Sequence, residues 1–183
     1  MHIDASGYLD KACFMASPNF DERPIGYDIS LLVIHNISLP PNEFCGNGVI
    51  ELFTNQIDPK AHPYYKTLCD LKVSTHFFVR RDGSIIQFVP CIQRAWHAGV
   101  SCWQGQERCN DFSIGVELEG SDTIAFTNAQ YATLVTLTQV LCKTYPISDI
   151  VGHSDIAPDR KTDPGPYFDW QSYRSALSPD VTS

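Results

Sequence analysis

Residues 30–36 spell Ser-Leu-Leu-Val-Ile-His-Asn, a short continuous apolar run that ends in two polar side chains. An uninterrupted aliphatic run of this length is typical of a strand buried on both faces of a sheet. Residues 150–153, Ile-Val-Gly-His, repeat the pattern near the other end of the chain. The sequence therefore predicts two buried strands with His35 and His153 at their carboxyl ends, where α/β sheets gather ligands and metals.

Two further β signals lie between these strands. Asp82-Gly83 separates two β-rich runs, residues 73–79 and 85–89, and this pattern predicts a hairpin. Apolar and polar side chains alternate over residues 112–118, which predicts another strand. The alternation puts Glu117 on the face opposite the apolar side chains.

One long helix and two short ones are predicted. Thr127 to Gln130 match a capping box, and apolar residues follow at helical spacing up to Pro146. Shorter helices are predicted over residues 48–53 and 169–177.

The chain length and composition favour one domain. A chain of 183 residues, 43% of them hydrophobic, can bury one core and lies below the size at which chains split into several. Residues 1–29 have no sustained period of 2 or 3.6 and predict an irregular N-terminal arm wrapped on the body. Residues 30–183 are predicted to form the globular domain.

Charge and patterning exclude several classes of protein. The chain has 13 Lys and Arg against 21 Asp and Glu, a net charge of −8, so we expect no nucleic-acid partner. The longest aliphatic run, Leu31 to Ile34, is far too short to span a membrane. The first thirty residues show no signal-peptide pattern, and seven cysteines without a C-x-x-C pair suggest reduced thiols. We therefore expect a cytoplasmic protein.

The two strand-end histidines are candidate metal ligands. A hydrolytic zinc site needs three protein ligands and an open position for water, and two imidazoles with one carboxylate are a recurring set. Asp163, ten residues after His153, is the natural third ligand. The alternative is that His35 and His153 are polar surface residues, because periodicity alone does not pair them.

Five motifs in order resemble those of the zinc-dependent N-acetylmuramoyl-L-alanine amidases, a family that includes phage amidases and peptidoglycan recognition proteins. The similarity is greatest to the cytosolic members that act on 1,6-anhydro-muramyl peptides in bacterial cell-wall recycling. It covers nearly the whole chain and rests on SLLVIHNISLPPN (30–42), VSTHFFVRRDGS (73–84), RAWHAGVS (94–101), ERCNDFSIGVELEGS (107–121) and VGHSDIAPDRKTDPGPY (151–167).

The resemblance implies an α/β (α+β) fold in which helices flank a mixed central sheet, with a metal-binding groove on one face. It implies zinc held by His35, His153 and Asp163, although many distant relatives have cysteine at the third position. It also implies that Glu117 is the catalytic acid/base and that Lys161 stabilises the oxyanion of the tetrahedral intermediate.

Substrate contacts are implied for a further set of residues. An aromatic wall would hold a sugar ring, cationic side chains would bind peptide carboxylates, and one amide would line the groove near the peptide. These residues are Trp96 for the wall, Lys72, Arg108 and Arg160 for the carboxylates, and Asn36 for the groove. A core position for Trp96 and surface positions for the cations are the alternatives. His76 and His97 are candidates for orienting the ligands or for purely structural roles.

The function expected is zinc-dependent hydrolysis of the amide between 1,6-anhydro-N-acetylmuramic acid and L-alanine of small cytoplasmic muropeptides, by a bacterial enzyme that we expect to be a monomer. A peptidoglycan-binding module is one alternative, but Glu117 and Lys161 would be superfluous in it. A thiol hydrolase is another, although no cysteine stands out as its nucleophile. A secreted wall-lytic amidase is the third, and it would need an export signal or cell lysis.

Overall fold

The centre of the fold is a mixed six-stranded sheet, and the computed structural model of the chain describes residues 1–177. The strands are β1 (Cys13–Phe14), β2 (Phe20–Glu22), β3 (Leu31–Ile37), β4 (Phe77–Val79), β5 (Ile85–Gln87), β6 (Gln93–Ala95), β7 (Cys102–Trp103), β8 (Gln106–Glu107), β9 (Ser113–Glu119) and β10 (Asp149–Gly152). The α-helices are α1 (Gly48–Phe53), α2 (Asn128–Thr144), α3 (His153–Ile156) and α4 (Trp170–Ala176). Within residues 1–177, no helix is both long and apolar enough to cross a membrane.

The strand order in the main sheet is β1-β5-β4-β9-β3-β10. Strands β4, β9, β3 and β10 run parallel, whereas β5 is antiparallel to β4 and carries β1 parallel to itself. The predicted mixed sheet, the hairpin around Asp82-Gly83 and all three predicted helices are confirmed, although the hairpin strands are shorter than predicted.

The central strands β3 and β9 are buried on both sides of the sheet. One side packs against α2 and α4 through aliphatic and aromatic side chains, including Leu32, Ile114, Leu134 and Tyr173. Helix α2 begins with the predicted capping box, in which the Thr127 hydroxyl accepts from the backbone of Gln130. The other side of the sheet is thereby left for the loops and short helices that form the groove.

The prediction of an irregular N-terminal arm is wrong in part. Residues 1–29 contain β1, which extends the main sheet, and β2, which pairs with β6. Strands of two and three residues are too short to show a period in the sequence. The arm is held further by the half-buried Arg23, whose guanidinium donates to the backbone carbonyls of Cys91, Asn110, Asp111 and Ser113. The domain boundary at residue 30 stays a prediction, and its other end, residue 183, lies outside the described residues.

The position of His35 at a strand end is also corrected. Strand β3 continues to Ile37, because β9 runs to Glu119 and pairs with β3 along its whole length. His35 is therefore inside the strand, opposite Glu117. His153 follows β10 as predicted, but it begins the single-turn helix α3 rather than a loop.

Candidate active site

Three potential metal ligands meet at one point on the groove side of the sheet. His35 Nδ1 lies 2.9 Å from His153 Nδ1 and 3.0 Å from Asp163 Oδ2, and His153 Nδ1 lies 3.1 Å from the same carboxylate oxygen. The sequence prediction that these three residues form a cluster is thus matched by their placement.

The hydrogen bonds of His153 leave its Nδ1 with a lone pair. Its Nε2 lies 3.0 Å from the carbonyl oxygen of Ala98, which can only accept, so Nε2 carries a proton and donates it there. Burial lowers the pKa of His35 to about 4, so this imidazole is neutral near pH 7. The Nδ1 atoms of the two imidazoles and the Asp163 carboxylate oxygen lie within 3.1 Å of one another, so all three can direct lone pairs at one bound cation.

This donor set fits a small divalent cation. Ligands bound tetrahedrally at about 2.0–2.1 Å are separated from each other by about 3.3 Å, close to the distances between these atoms. Nitrogen and oxygen ligands in this number are those of a catalytic zinc site with an open position.

His97 contacts the candidate ligand His35 at the ring nitrogen that does not face Asp163. His35 Nε2 lies 3.0 Å from His97 Nδ1, and His97 Nε2 lies 3.2 Å from the Ser113 hydroxyl. If His35 offers Nδ1 to a metal, its Nε2–H donates a hydrogen bond to His97 Nδ1. The Nε2–H of His97 then donates a hydrogen bond to the Ser113 hydroxyl. The His97 ring lies against Gly115, where a Cβ atom would come within 2.5 Å of it. Glycine at this position of β9 therefore makes room for the supporting imidazole.

Glu117 is placed beside the ligands by strand register. It pairs with His35 across β3 and β9, so both side chains lie on the groove side of the sheet. Its side chain is only 8% exposed, and within residues 1–177 its Oε2 has no hydrogen-bond partner. Burial, with the nearby charge of Asp163, raises the pKa of this carboxyl well above its usual range. A buried carboxyl without a structural partner has the properties of an acid/base group.

The segment that carries Asp163 also carries Lys161 into the groove. The backbone of Ser154 donates to the carbonyl of Asp163 at 2.9 Å, which ties the segment to α3. A Cβ atom on Gly152 would lie 2.7 Å from Pro164, so the end of β10 needs glycine for the segment to pass. Lys161 lines the groove. Burial and the charge of Asp163 raise the pKa of Glu117, and the positive charge of Lys161 partly offsets this rise.

The groove around these residues has a volume of about 540 Å³. One wall is polar and contains His97, Glu117, Asp122 and the segment 160–163. Another part of the lining, the apolar wall, comes from residues between β3 and β4, namely Leu39, Leu52, Phe53, Tyr64, Leu68, Leu71 and Val73. No sequence pattern predicts this apolar wall, because its residues are scattered through a loop-rich segment without a period.

The predicted substrate-binding residues separate into two groups. Asn36 and Arg160 line the groove, and Arg160 also donates to the carbonyl oxygens of Ala98 and Val100. The described lining does not include Trp96, Lys72 or Arg108. The half-buried Trp96 donates through Nε1 to Asp21, and the exposed Arg108 contacts Asp111. Substrate contacts for all five residues stay predictions.

Sequence relatives of this chain are muramyl-L-alanine amidases. The family model described as N-acetylmuramoyl-L-alanine amidase matches residues 25–166. The 1,6-anhydro-N-acetylmuramyl-L-alanine amidase AmpD of Citrobacter freundii is 55% identical over 175 residues, 94% of each chain. The AmpD of Escherichia coli K12 is 54% identical over 178 residues, 96% of this chain and 97% of that protein.

Solved structures agree with this relationship. A crystal structure of a selenomethionine derivative of AmpD superposes with a TM-score of 0.94 at 54% identity, covering 97% of this chain and 100% of that one. A complex of the Escherichia coli amidase AmiD with anhydro-N-acetylmuramic acid-L-Ala-D-γ-Glu-L-Lys gives a TM-score of 0.59 at 32% identity, covering 95% of this chain and 65% of that one. The fold, the motifs and the relatives together make the chain a member of the N-acetylmuramoyl-L-alanine amidase family.

Proposed function

We propose that the protein hydrolyses the amide between 1,6-anhydro-N-acetylmuramic acid and L-alanine in small muropeptides, with zinc bound by His35, His153 and Asp163. The observation that carries the proposal is the convergence of these three donors, with Glu117 paired to His35 in the adjacent strand. When bound, zinc would supply Lewis-acid activation of the amide carbonyl and of the attacking water. The remaining chemistry belongs to side chains of the chain itself.

Glu117 transfers the proton in this scheme. Its carboxylate takes a proton from the water as the water oxygen adds to the amide carbonyl carbon. The same carboxyl then gives the proton to the nitrogen of L-alanine as the carbon–nitrogen bond breaks. A carboxyl with a raised pKa holds the proton between the two steps, and burial of Glu117 provides that property.

Lys161 provides fixed positive charge for the oxyanion that forms on the carbonyl oxygen. Its position on the polar wall of the groove, two residues before Asp163, supports this role. A cation that is in place before the reaction stabilises developing negative charge without a cost of reorganisation.

The substrate class is supported by the relatives and by the groove. The relatives that are 54–55% identical to this chain are named for the 1,6-anhydro sugar. The structure of AmiD was solved with an anhydro-muramyl tripeptide. A groove lined by both polar and apolar side chains suits a sugar joined to a charged peptide. Mass spectrometry after incubation with an anhydro-muramyl tripeptide should show the free anhydro sugar acid and the free peptide. An unchanged substrate that nevertheless binds would identify a binding module instead.

A thiol hydrolase is disfavoured by the placement of the cysteines. Within the described residues the groove is not lined by any cysteine. Cys91 and Cys109 are buried, and burial raises the pKa of Cys91 to about 12, so its thiol stays protonated at neutral pH.

Lys161→Ala is expected to lower kcat by about 10² to 10³, the usual cost of removing one group that stabilises an oxyanion. Zinc content should stay at that of the wild type, because the ammonium is not proposed as a ligand. Steady-state kinetics and metal analysis of the same preparation check both points. A folded variant with unchanged kcat would show that the oxyanion is stabilised elsewhere.

His97→Ala is expected to weaken zinc binding by about 10- to 100-fold, because His35 would lose the group that fixes its tautomer and ring orientation. Competition with a coloured chelator measures the affinity independently of activity. His2→Ala removes an exposed imidazole and is the matched control. Equal zinc affinity of His97→Ala and wild type, with the fold intact, would contradict the supporting role.

The anhydro form of the sugar is expected to be preferred by about 10² in kcat/KM over the same peptide on ordinary N-acetylmuramic acid, because the C1 and C6 hydroxyls of the open sugar would face apolar surface. Both substrates compete in one reaction, and product ratios give the preference. Tyr64 lines the apolar wall and Trp96 does not, so Tyr64→Ala should reduce the ratio more than Trp96→Ala. Equal kcat/KM values for the two substrates with the wild type would leave a general muramoyl amidase.

The location in the bacterial cytoplasm, the monomeric state and the absence of a nucleic-acid or membrane partner stay predictions from the sequence.

A further inference from the structure

We propose that Asp122 is a positioning residue that joins Asn36 to the segment 161–165 and so fixes the arrangement of the groove beside the metal ligands. The inference deepens the proposed function and rests on it for the identity of the reaction. Asp122 lies in the loop that follows β9 and lines the groove.

The two carboxylate oxygens of Asp122 serve different parts of the site. Oδ1 accepts a hydrogen bond from Asn36 Nδ2 at 2.7 Å, and Asn36 directly follows the ligand His35 in β3. Oδ2 accepts from the hydroxyl of Thr162, which lies between Lys161 and Asp163. The Asp122 side chain therefore connects Asn36, which follows His35, to Thr162, which precedes Asp163.

The segment packs tightly onto this carboxylate. Gly165 has a φ of +81°, and a Cβ atom at this position would lie 2.5 Å from Asp122 Oδ1. A side chain at residue 165 would thus push the segment and the carboxylate apart. The close approach shows that the segment adopts its path with Asp122 as part of its support.

The same contacts fix the amide of Asn36. Its Nδ2 donates to Asp122 and, at 3.0 Å, to the carbonyl oxygen of Pro164. Both amide hydrogens are engaged in this way, so the amide cannot flip without losing two hydrogen bonds. The carbonyl oxygen of Asn36 is then the atom that remains to accept a hydrogen bond from a peptide N–H of the substrate.

Displacement of this segment would affect chemistry more than binding. Lys161 and Asp163 flank Thr162, and a misplacement of about 1 Å can cost about 100-fold in rate. Loss of a group that orients a metal ligand typically costs about 10- to 100-fold in metal affinity or activity.

Substitutions at Asp122 separate positioning from simple structural support. Asp122→Ala removes both acceptors and is expected to lower kcat by about 10- to 100-fold and zinc affinity by about 10-fold. Asp122→Asn keeps an acceptor for Asn36, and its own amide can donate to the Thr162 hydroxyl. We expect Asp122→Asn to restore both quantities to within a few-fold of wild type.

Thr162→Val tests the contact with the catalytic segment alone. It removes the donor to Asp122 and leaves Asn36 in place, so kcat and zinc affinity should fall while KM stays close to wild type. Thr136→Val, on the exposed side of α2, and Asp10→Ala, in the N-terminal arm, are matched controls that should behave as wild type. Chelator competition, steady-state kinetics and thermal unfolding are measured on each variant.

Three results would overturn the proposal: zinc affinity and kcat of Asp122→Ala equal to wild type, Asp122→Asn as impaired as Asp122→Ala, or an unaffected Thr162→Val. If Asp122→Ala does not fold, Thr162→Val still decides the matter. Zinc affinity does not depend on which substrate is cleaved. A wild type inactive on muropeptides would therefore refute the proposed function and leave the positioning role to be decided by the metal measurements.

Discussion

Glu117→Gln is expected to lower kcat by about 10² to 10⁴ while the enzyme keeps its zinc and its fold. The amide has nearly the shape of the carboxylate but cannot take a proton from water or give one to the leaving nitrogen. Because Oε2 of Glu117 has no hydrogen-bond partner within residues 1–177, the substitution breaks no contact of that oxygen. Steady-state kinetics on an anhydro-muramyl tripeptide, with metal analysis and thermal unfolding of the same sample, measure all three quantities.

Glu107→Gln, an exposed glutamate in β8, is the matched control for the loss of one negative charge. It should keep the kcat of the wild type. A Glu117→Gln variant that retains full turnover, or that loses zinc while remaining folded, would remove Glu117 from the acid/base role.

Asp163→Ala is expected to reduce turnover to background, because it removes one of three ligands and the only negative charge among them. Zinc measured after dialysis should fall from one per chain to a small fraction. Asp163→Cys keeps an anionic ligand at the same position and should retain zinc, since thiolate is a good zinc ligand. Metal analysis after dialysis of all three proteins against the same buffer makes the comparison.

Asp159→Ala is the control for Asp163→Ala, because Asp159 is an exposed carboxylate in the same loop. It should keep both zinc and activity. If Asp163→Ala retained one zinc per chain, the metal would have to be held without this carboxylate, and the ligand set proposed here would be wrong.

Much of the sheet could be predicted because its signals are local. The aliphatic run before His35, the alternation around Glu117 and the capping box at Thr127 are each contained within a few residues. Whether His35 lies opposite Glu117 depends on the register of β3 and β9, strands separated by 75 residues or more, and no local pattern contains that information. The motifs implied a common site, and the register explains how it is built.

Other features of the site depend on contacts between distant segments, which produce no periodic pattern in the sequence. Asp122 is an ordinary loop aspartate in the sequence, and it acquires a role only when Asn36 and Thr162 meet it from distant segments. The apolar wall comes from scattered loop residues. The motif around Trp96 predicts a contact with sugar, which stays a prediction, whereas the hydrogen bond from its indole to Asp21 in the N-terminal arm has no signal in the sequence. The two short strands of that arm have no signal either.

The most direct test of the account is a zinc titration of the metal-free wild-type enzyme, with hydrolysis of an anhydro-muramyl tripeptide followed at each addition. We expect no hydrolysis without metal, a linear recovery of activity that ends at one zinc per chain, and cleavage only at the bond between the sugar acid and L-alanine. Full activity in the rigorously metal-free enzyme would show that His35, His153 and Asp163 do not act through a bound metal.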